Sequence, residues 1–356
     1  ENASVFVAMS GGVDSAVTAA LLLNAGYRVT GIHMETWKDP KWQAESEAMP
    51  ATAGLARAVA DALGIPFEVL DIRERFYRDV VKRFIRQYMA GQTPNPCLFC
   101  NPQVKWGVLQ SYALEHGADF FATGHYARIE RENEDRVRLL KGVDKNKDQS
   151  YVLSMLDQHQ LRNSLLPLGS MSKEDVRLEA MRLGLPVADR QDSQDLCFLG
   201  NVDYRDFLQR FAPETANPGE IVDVQGKVLG QHEGLAFYTI GQRKGIRVAA
   251  PQPYFVIGKD IENNRLIVGY AHHAGKNTLL ATHTNWISGY PPEVHEEYQV
   301  MVRYRAKPQS AILLSAMQER FRLEFKESLR GITPGQVAVI YRGEEVLGGG
   351  VIQEAG

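Results

Sequence analysis

Three cysteines are the only thiols in this chain, and two of them stand in the motif "TPNPCLFCN" at residues 93–101. Cys97 and Cys100 are three residues apart, whereas Cys197 lies far along the chain in "DSQDLCFLG". Cysteines in such a pattern can form half of a zinc site, a redox pair, iron–sulfur ligands or carriers of a sulfur atom. Two buried structural thiols would give the same pattern, so the cysteines alone leave the chemistry open.

A turn with two adjacent glycines, "SGGVDS" at residues 10–15, is a second candidate site. It stands between a strand-like and a helix-like run, where backbone N–H groups and a helix N-terminus can bind phosphate. Its two serines could donate hydroxyl groups to phosphate oxygens, and Asp14 could hold Mg²⁺. The Gly-Lys-Ser/Thr ending of a Walker A loop is missing, and a tight turn without function would also explain the glycines.

The surrounding elements would bring such motifs to one edge of a sheet. Four apolar runs predict strands, namely "SVFVAMS", "YRVTGIHM", "PFEVLDI" and "ADFFATGHY". Residues 13–25, 51–64 and 73–90 have helical patterns. Successive β–α units predict a parallel sheet that binds ligands at the carboxyl ends of its strands.

The rest of the chain divides into a helical and a β-rich part. Residues 151–212 predict a small, mainly helical domain, in which Ser172 is a candidate N-cap and Gly184 a helix stop. From residue 213 onward, short β runs separated by Gly, Pro and Asn predict a barrel-like or sandwich domain. The predicted fold class is α/β, with a parallel-sheet domain at 1–150, the helical domain at 151–212 and a β-barrel-like domain at 213–356.

Composition indicates a globular protein of a reducing compartment, and we expect a cytosolic, cytoplasmic location. The 356 residues are 44% hydrophobic and 23% charged, and three cysteines are too few for a disulfide framework. The run "ASVFVAM" is too short for a membrane span, so no membrane partner is expected. A net charge of −3 gives no overall support for nucleic-acid binding. Residues 73–105 nevertheless have a local basic excess, which is either a solvated helix face or a phosphate-binding patch: Arg73, Arg75, Arg78, Lys82, Arg83, Arg86 and Lys105.

Seven motifs carry a resemblance that joins these sites. In order they are "MSGGVDSAV", "GQTPNPCLFCN", "ATGHYARI", "KDQSYVL", "DSQDLCFLG", "YTIGQRKGI" and "RYRAKP". The first looks like the PP-loop of ATP pyrophosphatases, which cleave ATP between the α and β phosphates to adenylate an oxygen. The whole series, from Val5 to Ile352, resembles the bacterial and mitochondrial tRNA-specific 2-thiouridylases. The resemblance implies an adenine nucleotide alpha hydrolase-like fold and ATP-dependent replacement of the 2-oxygen of wobble uridine 34 by sulfur.

The resemblance also implies roles for individual residues. Cys197 would carry a persulfide, Cys100 would be the resolving nucleophile that ends disulfide-bonded to it, and Cys97 stands where relatives have aspartate or cysteine. ATP is expected at Ala8, Met9, Ser10, Gly11, Gly12, Val13, Asp14, Ser15, Met34 and Gly124. The target base is expected at Asn95, Pro96 and Cys97, in a turn stiffened by its prolines. Contacts with tRNA are expected at His125, Lys147, Asp148, Gln149, Arg243, Lys244, Arg303, Tyr304, Arg305 and Gln336.

The implied partners are tRNAs with U34, of the lysine, glutamate and glutamine type, and a sulfur-relay or cysteine desulfurase protein. One alternative chemistry keeps the same reaction but uses all three thiolates to hold a [4Fe–4S] cluster, with one iron free to bind sulfide. A zinc site lacks a convincing fourth ligand, although His125 could be one. Two other functions stay open: a PP-loop ligase or amidotransferase that adenylates a carboxylate, and an RNA-binding protein with a vestigial nucleotide site.

Overall fold

The computed structural model describes residues 2–41, 52–133, 136–191, 196–200 and 202–356. Residue 51 of the predicted second helix and residues 192–195 of the second cysteine motif lie outside these ranges. The strands are β1 (Ser4–Ala8), β2 (Arg28–Glu35), β3 (Phe67–Asp71), β4 (Phe120–Ala122), β5 (Ala127–Arg131), β6 (Val137–Lys141), β7 (Ser164–Leu165), β8 (Gly219–Val222), β9 (Val228–His232), β10 (Phe255–Asp260), β11 (Arg265–Gly269), β12 (Gly275–Trp286), β13 (Glu297–Met301), β14 (Gln309–Ala316), β15 (Arg320–Arg330), β16 (Val337–Arg342) and β17 (Glu345–Ala355).

The described helices include two long ones that contain wider, π-type turns. They are α1 (Val13–Asn24), α2 (Thr52–Leu63), α3 (Arg73–Phe76, continued by Tyr77–Val81 and Lys82–Met89), α4 (Cys97–Cys100, continued by Asn101–Gln110 and Ser111–Glu115), α5 (Ser150–Leu153), α6 (Gln158–Arg162), α7 (Lys173–Arg182) and α8 (Tyr204–Phe211). The π-type turns lie in the middle segments of α3 and α4. Turns of this kind occur often at functional sites, and the one in α4 follows the cysteine pair directly.

A five-stranded parallel sheet forms the first part of the chain, which confirms the predicted α/β fold. Its strand order is β3-β2-β1-β4-β7. β1 pairs in parallel with β2 on one side and with β4 on the other. The strands that follow β1 in sequence therefore lie first on one side of it and then on the other. The boundary between β1 and β4 is therefore the switch point at which open α/β sheets bind ligands.

Both faces of this sheet are covered, and β1 shows why its sequence is apolar throughout. Val5 and Val7 are fully buried in a cluster that contains residues of α1, α2 and α7. Phe6 belongs to another cluster, which contains residues of α3 and α4. Successive strand residues point to opposite faces, so a strand covered on both sides needs apolar residues at every position.

The helix signals of the middle segment are also confirmed. Ser172 is the N-cap of α7, and its Oγ accepts a hydrogen bond of 3.1 Å from the backbone N–H of Asp175. Gly184 follows the end of the helix with a φ of +61°, a conformation that glycine adopts without strain. The strand β7 lies in this segment as well and pairs with β4 of the first sheet.

Two β units complete the fold, and the predicted barrel is one of them. β8 to β11 form a four-stranded sheet, whereas β12 to β17 form a six-stranded barrel that the pairing of β12 with β17 closes. The hairpin β5–β6 extends the barrel, because Leu140 pairs with Glu345 and Leu139 with Val346. The exact domain boundaries at residues 150 and 212 stay predictions.

One hydrophobic cluster joins all these parts. It includes Phe76 and Phe84 of α3, Phe198, Val256 of β10 and Val337 of β16. Such a shared cluster holds the cysteine motifs between the sheet and the β units. Within the described ranges, no helix combines the length and the apolar character needed to cross a bilayer.

Candidate active site

The glycine turn follows β1 and ends where α1 begins. Gly11 has a φ of +75°, and a Cβ atom at this position would lie 2.6 Å from the carbonyl oxygen of Thr52. The hydroxyl of Ser15 donates to the carbonyl oxygen of Gly12 at 3.0 Å and accepts from the N–H of Ser10 at 3.2 Å. Gly12 is the N-cap of α1 and offers no side chain, so the first N–H groups of α1 are available to an anion.

Residues from both neighbouring strands converge on this turn, as expected for the predicted nucleotide site. A Cβ at Gly124, just after β4, would lie 3.0 Å from the carbonyl carbon of Asp14, so only glycine fits there without a shift. Ala8 is the last residue of β1 and is paired with Ile32. Met34 lies two residues beyond that pair, at the same edge of the sheet. The ATP-binding roles of these residues stay predictions.

Two cations from the middle segment contact the turn, and sequence reasoning missed both. The Nζ of Lys173, at the start of α7, donates to Oδ1 of Asp14 at 2.7 Å, and the hydroxyl of Tyr126 donates to the same oxygen at 2.7 Å. Nη1 of Arg190 donates to the carbonyl oxygen of Gly11 at 2.5 Å. Only a long-range fold brings them here, because no local pattern distinguishes Lys173 from an ordinary first helical residue.

The predicted Mg²⁺ ligand therefore already has partners. Asp14 is the one acidic residue of the turn, and Lys173 neutralises its charge at Oδ1. Mg²⁺ in nucleotide sites is bound by one or two carboxylates together with phosphates and water. Asp14 fits as a single protein ligand, and most of the coordination would come from the nucleotide.

The thiols lie on two elements. Cys97 and Cys100 occupy the first turn of α4, where residues three apart face the same side of a helix. Cys197 precedes Phe198, which is buried with 1% of its surface exposed. All three cysteines are free thiols. Cys100 is buried, whereas Cys97 and Cys197 are reached by solvent.

The three thiols influence one another's ionisation, which places them in one neighbourhood of the fold. Although Cys97 and Cys197 reach solvent, the protein atoms packed around each thiol disfavour its charged form and raise its pKa, to about 11 for Cys197, with a further contribution from Cys97. The pKa of Cys100 is raised by burial and also by the charges of Cys197 and Cys97. Interactions between charges are screened beyond about 10 Å, so the fold brings residues about a hundred positions apart into the same region.

Lys105 is the cation that acts on all three thiols. Its positive charge lowers the pKa of Cys97, Cys100 and Cys197, against the larger effect of burial. In the π-type turns of α4, residues five apart are about one turn apart. Lys105 therefore follows Cys100 on the same side of the helix.

His125 orients Lys105. Its Nε2 lies 3.3 Å from Nζ of Lys105, and its Nδ1 lies 2.7 Å from Oγ1 of Thr123. Burial and the charge of Lys105 hold the pKa of His125 well below its ordinary value, so the ring is neutral. Nε2 then accepts from the ammonium group and Nδ1–H donates to Thr123. The predicted tRNA contact at His125 stays a prediction, but the structure gives this side chain a role within the protein.

The donor set does not fit an iron–sulfur cluster. Although the thiols affect one another's pKa, no three Cys, His, Asp or Glu side chains of the described ranges lie close enough together to hold one metal ion. A [4Fe–4S] cluster needs thiolate ligands arranged around one centre. The cluster and zinc expectations therefore find no ligand set in this arrangement.

The predicted base pocket is held by its own backbone and by the barrel. The carbonyl oxygens of Asn95 and Pro96 accept from the N–H groups of Leu98 and Cys100 at 3.3 and 2.8 Å. Nε2 of Gln336, a predicted tRNA contact, donates to the carbonyl oxygen of Thr93 at 2.7 Å. Gln336 thus contacts the Pro-rich turn directly.

The other predicted tRNA contacts lie in three surface turns. Oδ1 of Asp148 accepts from the N–H of Gly142 at 2.8 Å, and Oε1 of Gln149 accepts from the N–H of Tyr126 at 2.9 Å. These side chains shape the turn beside His125, and Lys147 precedes them. Arg303 and Arg305 are exposed in a turn after β13 in which Tyr304 is partly buried, and Arg243 and Lys244 lie in another exposed turn.

The basic helix α3 divides into two halves. Its first arginines are ion-paired, as in the contacts of Arg73 with Asp71 and of Arg78 with Asp79, at 2.6 and 2.7 Å. In the second half, the guanidinium of Arg83 lies 3.5 Å from the ring centre of Phe99 in α4. Burial and the charge of Arg86 lower the pKa of Arg83. The positive charge next to the cysteine helix is therefore concentrated at Arg83 and Arg86.

Comparison with known proteins agrees with this architecture. Residues 3–201 match the family described as "tRNA methyl transferase HUP domain", residues 205–270 match "tRNA methyl transferase PRC-barrel domain", and residues 276–352 match "Aminomethyltransferase beta-barrel domain". Among solved structures, the chain is similar to a 4-thiouridine synthetase–RNA complex with bound ATP, at 13% identity and a TM-score of 0.33, covering 60% of this chain and 51% of that one. So low a score adds nothing to the argument.

Curated relatives match nearly the whole chain. The tRNA-specific 2-thiouridylase MnmA of Carboxydothermus hydrogenoformans is 46% identical over 98% of this chain and 97% of its own length. The enzyme of the same name from Moorella thermoacetica is 45% identical over 98% of both chains. Fold and site define a HUP-domain protein with a PP-loop at its switch point. The chain belongs to the family of tRNA-specific 2-thiouridylases.

Proposed function

We propose that this protein is an ATP-dependent tRNA uridine 2-sulfurtransferase that replaces the C2 oxygen of U34 by sulfur. The observation that supports this most directly is the place of Lys105, which acts on all three thiols. Its Nζ lies 3.3 Å from Nε2 of His125, and the preceding Gly124 lies against Asp14 of the turn that can bind phosphate. The names of the relatives support the same reaction. Two of the matched family descriptions contain the words "methyl transferase". Methyl transfer would not require two cysteine motifs from distant parts of the chain in one site.

Activation of the base would come first. A uracil C2 carbonyl is a poor electrophile, and adenylation of its oxygen, with release of pyrophosphate, makes that oxygen a good leaving group. The N–H groups at the start of α1 and the cations Lys173 and Arg190 surround the place where the phosphates would lie. Fixed dipoles and charges at this point stabilise the negative charge that develops on pyrophosphate.

Sulfur transfer would follow in two balanced steps. The terminal sulfur of a Cys197 persulfide attacks C2, and the adenylated oxygen leaves with AMP. The thiolate of Cys100 then attacks Sγ of Cys197, and the bond between the two persulfide sulfurs breaks. The outcome is 2-thiouridine and a Cys100–Cys197 disulfide, which an external thiol must reduce before the next cycle.

The partners belong to the same proposal. Arg83 and Arg86 would contact phosphates beside the target nucleotide, and the exposed turns of residues 147–149, 243–244 and 303–305 would extend the contact along the tRNA. The proposed substrates are tRNAs with U34 of the lysine, glutamate and glutamine type. The proposed donor is a sulfur-relay or cysteine desulfurase protein that reaches the exposed Cys197.

Replacement of Cys197 by serine tests the central step. We expect Cys197→Ser to retain tRNA-dependent release of pyrophosphate and to lose thiolation, because serine cannot carry a persulfide. Both are measured on unmodified tRNA, with radiolabelled pyrophosphate and with mass spectrometry of the nucleosides. Thiolation by this variant would contradict the proposal, and adenylation of small carboxylic acids without tRNA would favour the ligase alternative.

A second variant separates the persulfide from the cluster route. Cys97→Asp places a carboxylate where some relatives have one, and the persulfide route predicts that this variant still thiolates tRNA. A cluster that needs three thiolates predicts loss of activity. The matched measurement is iron and acid-labile sulfide in anaerobically purified protein.

A further inference from the structure

Asp39 links two elements around Cys197 that are far apart in sequence. Its backbone N–H donates to the carbonyl oxygen of Phe198 at 2.9 Å. Its carboxylate is fully buried and accepts two hydrogen bonds from Arg210 of α8, Nη1 to Oδ1 at 2.9 Å and Nη2 to Oδ2 at 2.6 Å. Asp39, in the segment after β2, therefore contacts both Phe198, the residue next to Cys197, and the helix α8.

Hydrogen bonds and ring contacts hold the turn that contains Cys197. The turn after Cys197 is closed by backbone hydrogen bonds from Leu199 and Gly200 to the carbonyl oxygen of Leu196, at 2.9 and 3.1 Å. The ring of Phe198 packs edge-on against Phe84 at 5.3 Å and Phe207 at 5.9 Å between ring centres. An exposed thiol is thus attached directly to a firmly anchored residue.

The ion pair has a geometry that favours positioning. Two parallel N–H···O bonds between a guanidinium and a carboxylate fix the orientation as well as the distance of the two groups. A network extends from it, because Asp206 lies 3.6 Å from Nε of Arg210 and 2.8 Å from Nζ of Lys41. A buried ionic pair is weak evidence for stability, and its better-attested use is to select one arrangement.

We propose that Asp39 and Arg210 are positioning residues that clamp the Cys197 turn, so that the sulfur on Cys197 is presented to Cys100 and to the target base from a fixed pivot at Phe198. This inference rests on the proposed function for its chemistry. The reason to need a clamp is geometric. The same sulfur atom must meet C2 of the base and then Cys100, and a misplacement of about 1 Å can cost about 10²-fold in rate.

The test uses Arg210→Met and Arg210→Lys. Lysine keeps the charge but cannot form the two-pronged contact. The clamp is assayed without tRNA, as the rate at which diamide oxidises Cys100 and Cys197 to their disulfide, followed by peptide mass spectrometry. We expect this rate to fall about tenfold or more in both variants, and tRNA-dependent pyrophosphate release to stay within about twofold of the wild type.

Two further variants make the result decisive. Arg265 of β11 forms an exposed ion pair with Glu220, with 2.9 Å between Nε and Oε2. Arg265→Met breaks this pair and should leave the disulfide rate unchanged. The double variant Asp39→Glu/Arg210→Lys restores a hydrogen-bonded ion pair, because the longer glutamate offsets the shorter lysine, and we expect it to recover part of the rate. Where circular dichroism shows Arg210→Met to be unfolded, Arg210→Lys and the double variant decide.

The outcomes distinguish the clamp from the proposed function. Wild-type disulfide rates in the folded Arg210 variants would overturn the clamp, whatever their thiolation activity. Failure of the wild-type protein to thiolate tRNA would overturn the proposed function, and the disulfide rates would still show whether the clamp exists.

Discussion

At the scale of single residues, the site combines thiols whose packed surroundings raise their pKa with a cation, Lys105, whose charge lowers the pKa of all three. Burial raises the pKa of Cys100 and Cys197, whereas the charge of Lys105 lowers both. The nucleophile in thiol chemistry is the thiolate, so the cation increases the amount of reactive sulfur that burial would otherwise leave. Thr123 and His125 hold the amine in place through hydrogen bonds.

Replacement of Lys105 by methionine should slow the reactions of the thiols. A nearby cation favours the thiolate, so its removal raises each thiol pKa and reduces the thiolate fraction at pH 8. We expect iodoacetamide to alkylate Cys100 and Cys197 about threefold more slowly, or slower still, with the rate profile shifted to higher pH. Peptide mass spectrometry across pH 7 to 10 measures this. Lys326→Met, at an exposed ion pair with Glu297, is the control, and an unchanged profile in Lys105→Met would contradict the assigned role.

At the scale of elements, the site depends on how closely β1, α1 and β4 meet. The turn between β1 and α1 passes so close to α2 that a Cβ on Gly11 would lie 2.6 Å from a backbone oxygen of Thr52. The segment after β4 is also close, since a Cβ on Gly124 would lie 3.0 Å from the carbonyl carbon of Asp14. Glycine is required at these two points by space, and at Gly11 also by a positive φ.

Two alanine variants distinguish the cost of a steric contact from the cost of a left-handed backbone conformation. Gly117 has a φ of +81° and open space around it, so Gly117→Ala should cost only the left-handed conformation, about 1–2 kcal/mol. Gly11→Ala bears the same cost together with the contact at Thr52, and we expect its loss of unfolding free energy to exceed that of Gly117→Ala by about 1 kcal/mol or more. Urea unfolding measures both, and ATP binding should weaken in Gly11→Ala alone. Equal losses in the two variants would show that the contact is relieved without strain.

At the scale of the whole molecule, the cysteine segment is held between the parallel sheet and the two β units. The barrel contributes Gln336, which donates to Thr93, and the four-stranded sheet contributes Lys259, whose Nζ donates to the carbonyl oxygen of Gly91 at 2.9 Å. Gly91 follows the end of α3, where helix carbonyl groups attract a cation. The position of the Pro-rich turn is therefore a property of all three parts of the fold.

Lys259, which contacts Gly91, makes the free energy of unfolding depend on pH. Burial lowers the pKa of Lys259 to about 8, below the unfolded value of about 10.4. Between these values the unfolded chain binds more protons than the folded one, so the free energy of unfolding rises with pH. In Lys259→Met we expect this rise to be smaller, by at most about 3 kcal/mol between pH 8 and 10. Urea unfolding at several pH values measures it, with the exposed Lys227→Met as control, and identical slopes in wild type and Lys259→Met would refute the assignment.

Much of the site was visible as local pattern. The apolar runs of β1 to β4, the cap at Ser172, the stop at Gly184 and the Pro-rich turn before Cys97 were predictable, because each depends on neighbouring residues. The motifs also indicated the glycine turn and all three thiols. Lys173, Arg190 and the Asp39–Arg210 pair were not predictable, because each acts on a partner more than a hundred residues away.

By itself, the sequence determined the elements and the chemical groups: a strand, a glycine turn and a helix for phosphate, three thiols, and the motifs of the family. Only the tertiary structure decided which groups share a site. Hydrogen bonds act over about 3 Å and charges over about 10 Å, and separation along the sequence does not measure distance in space. The packing of α8 against the segment after β2 set the place of Cys197, and the π-type turns of α4 set the side on which Lys105 faces the thiols.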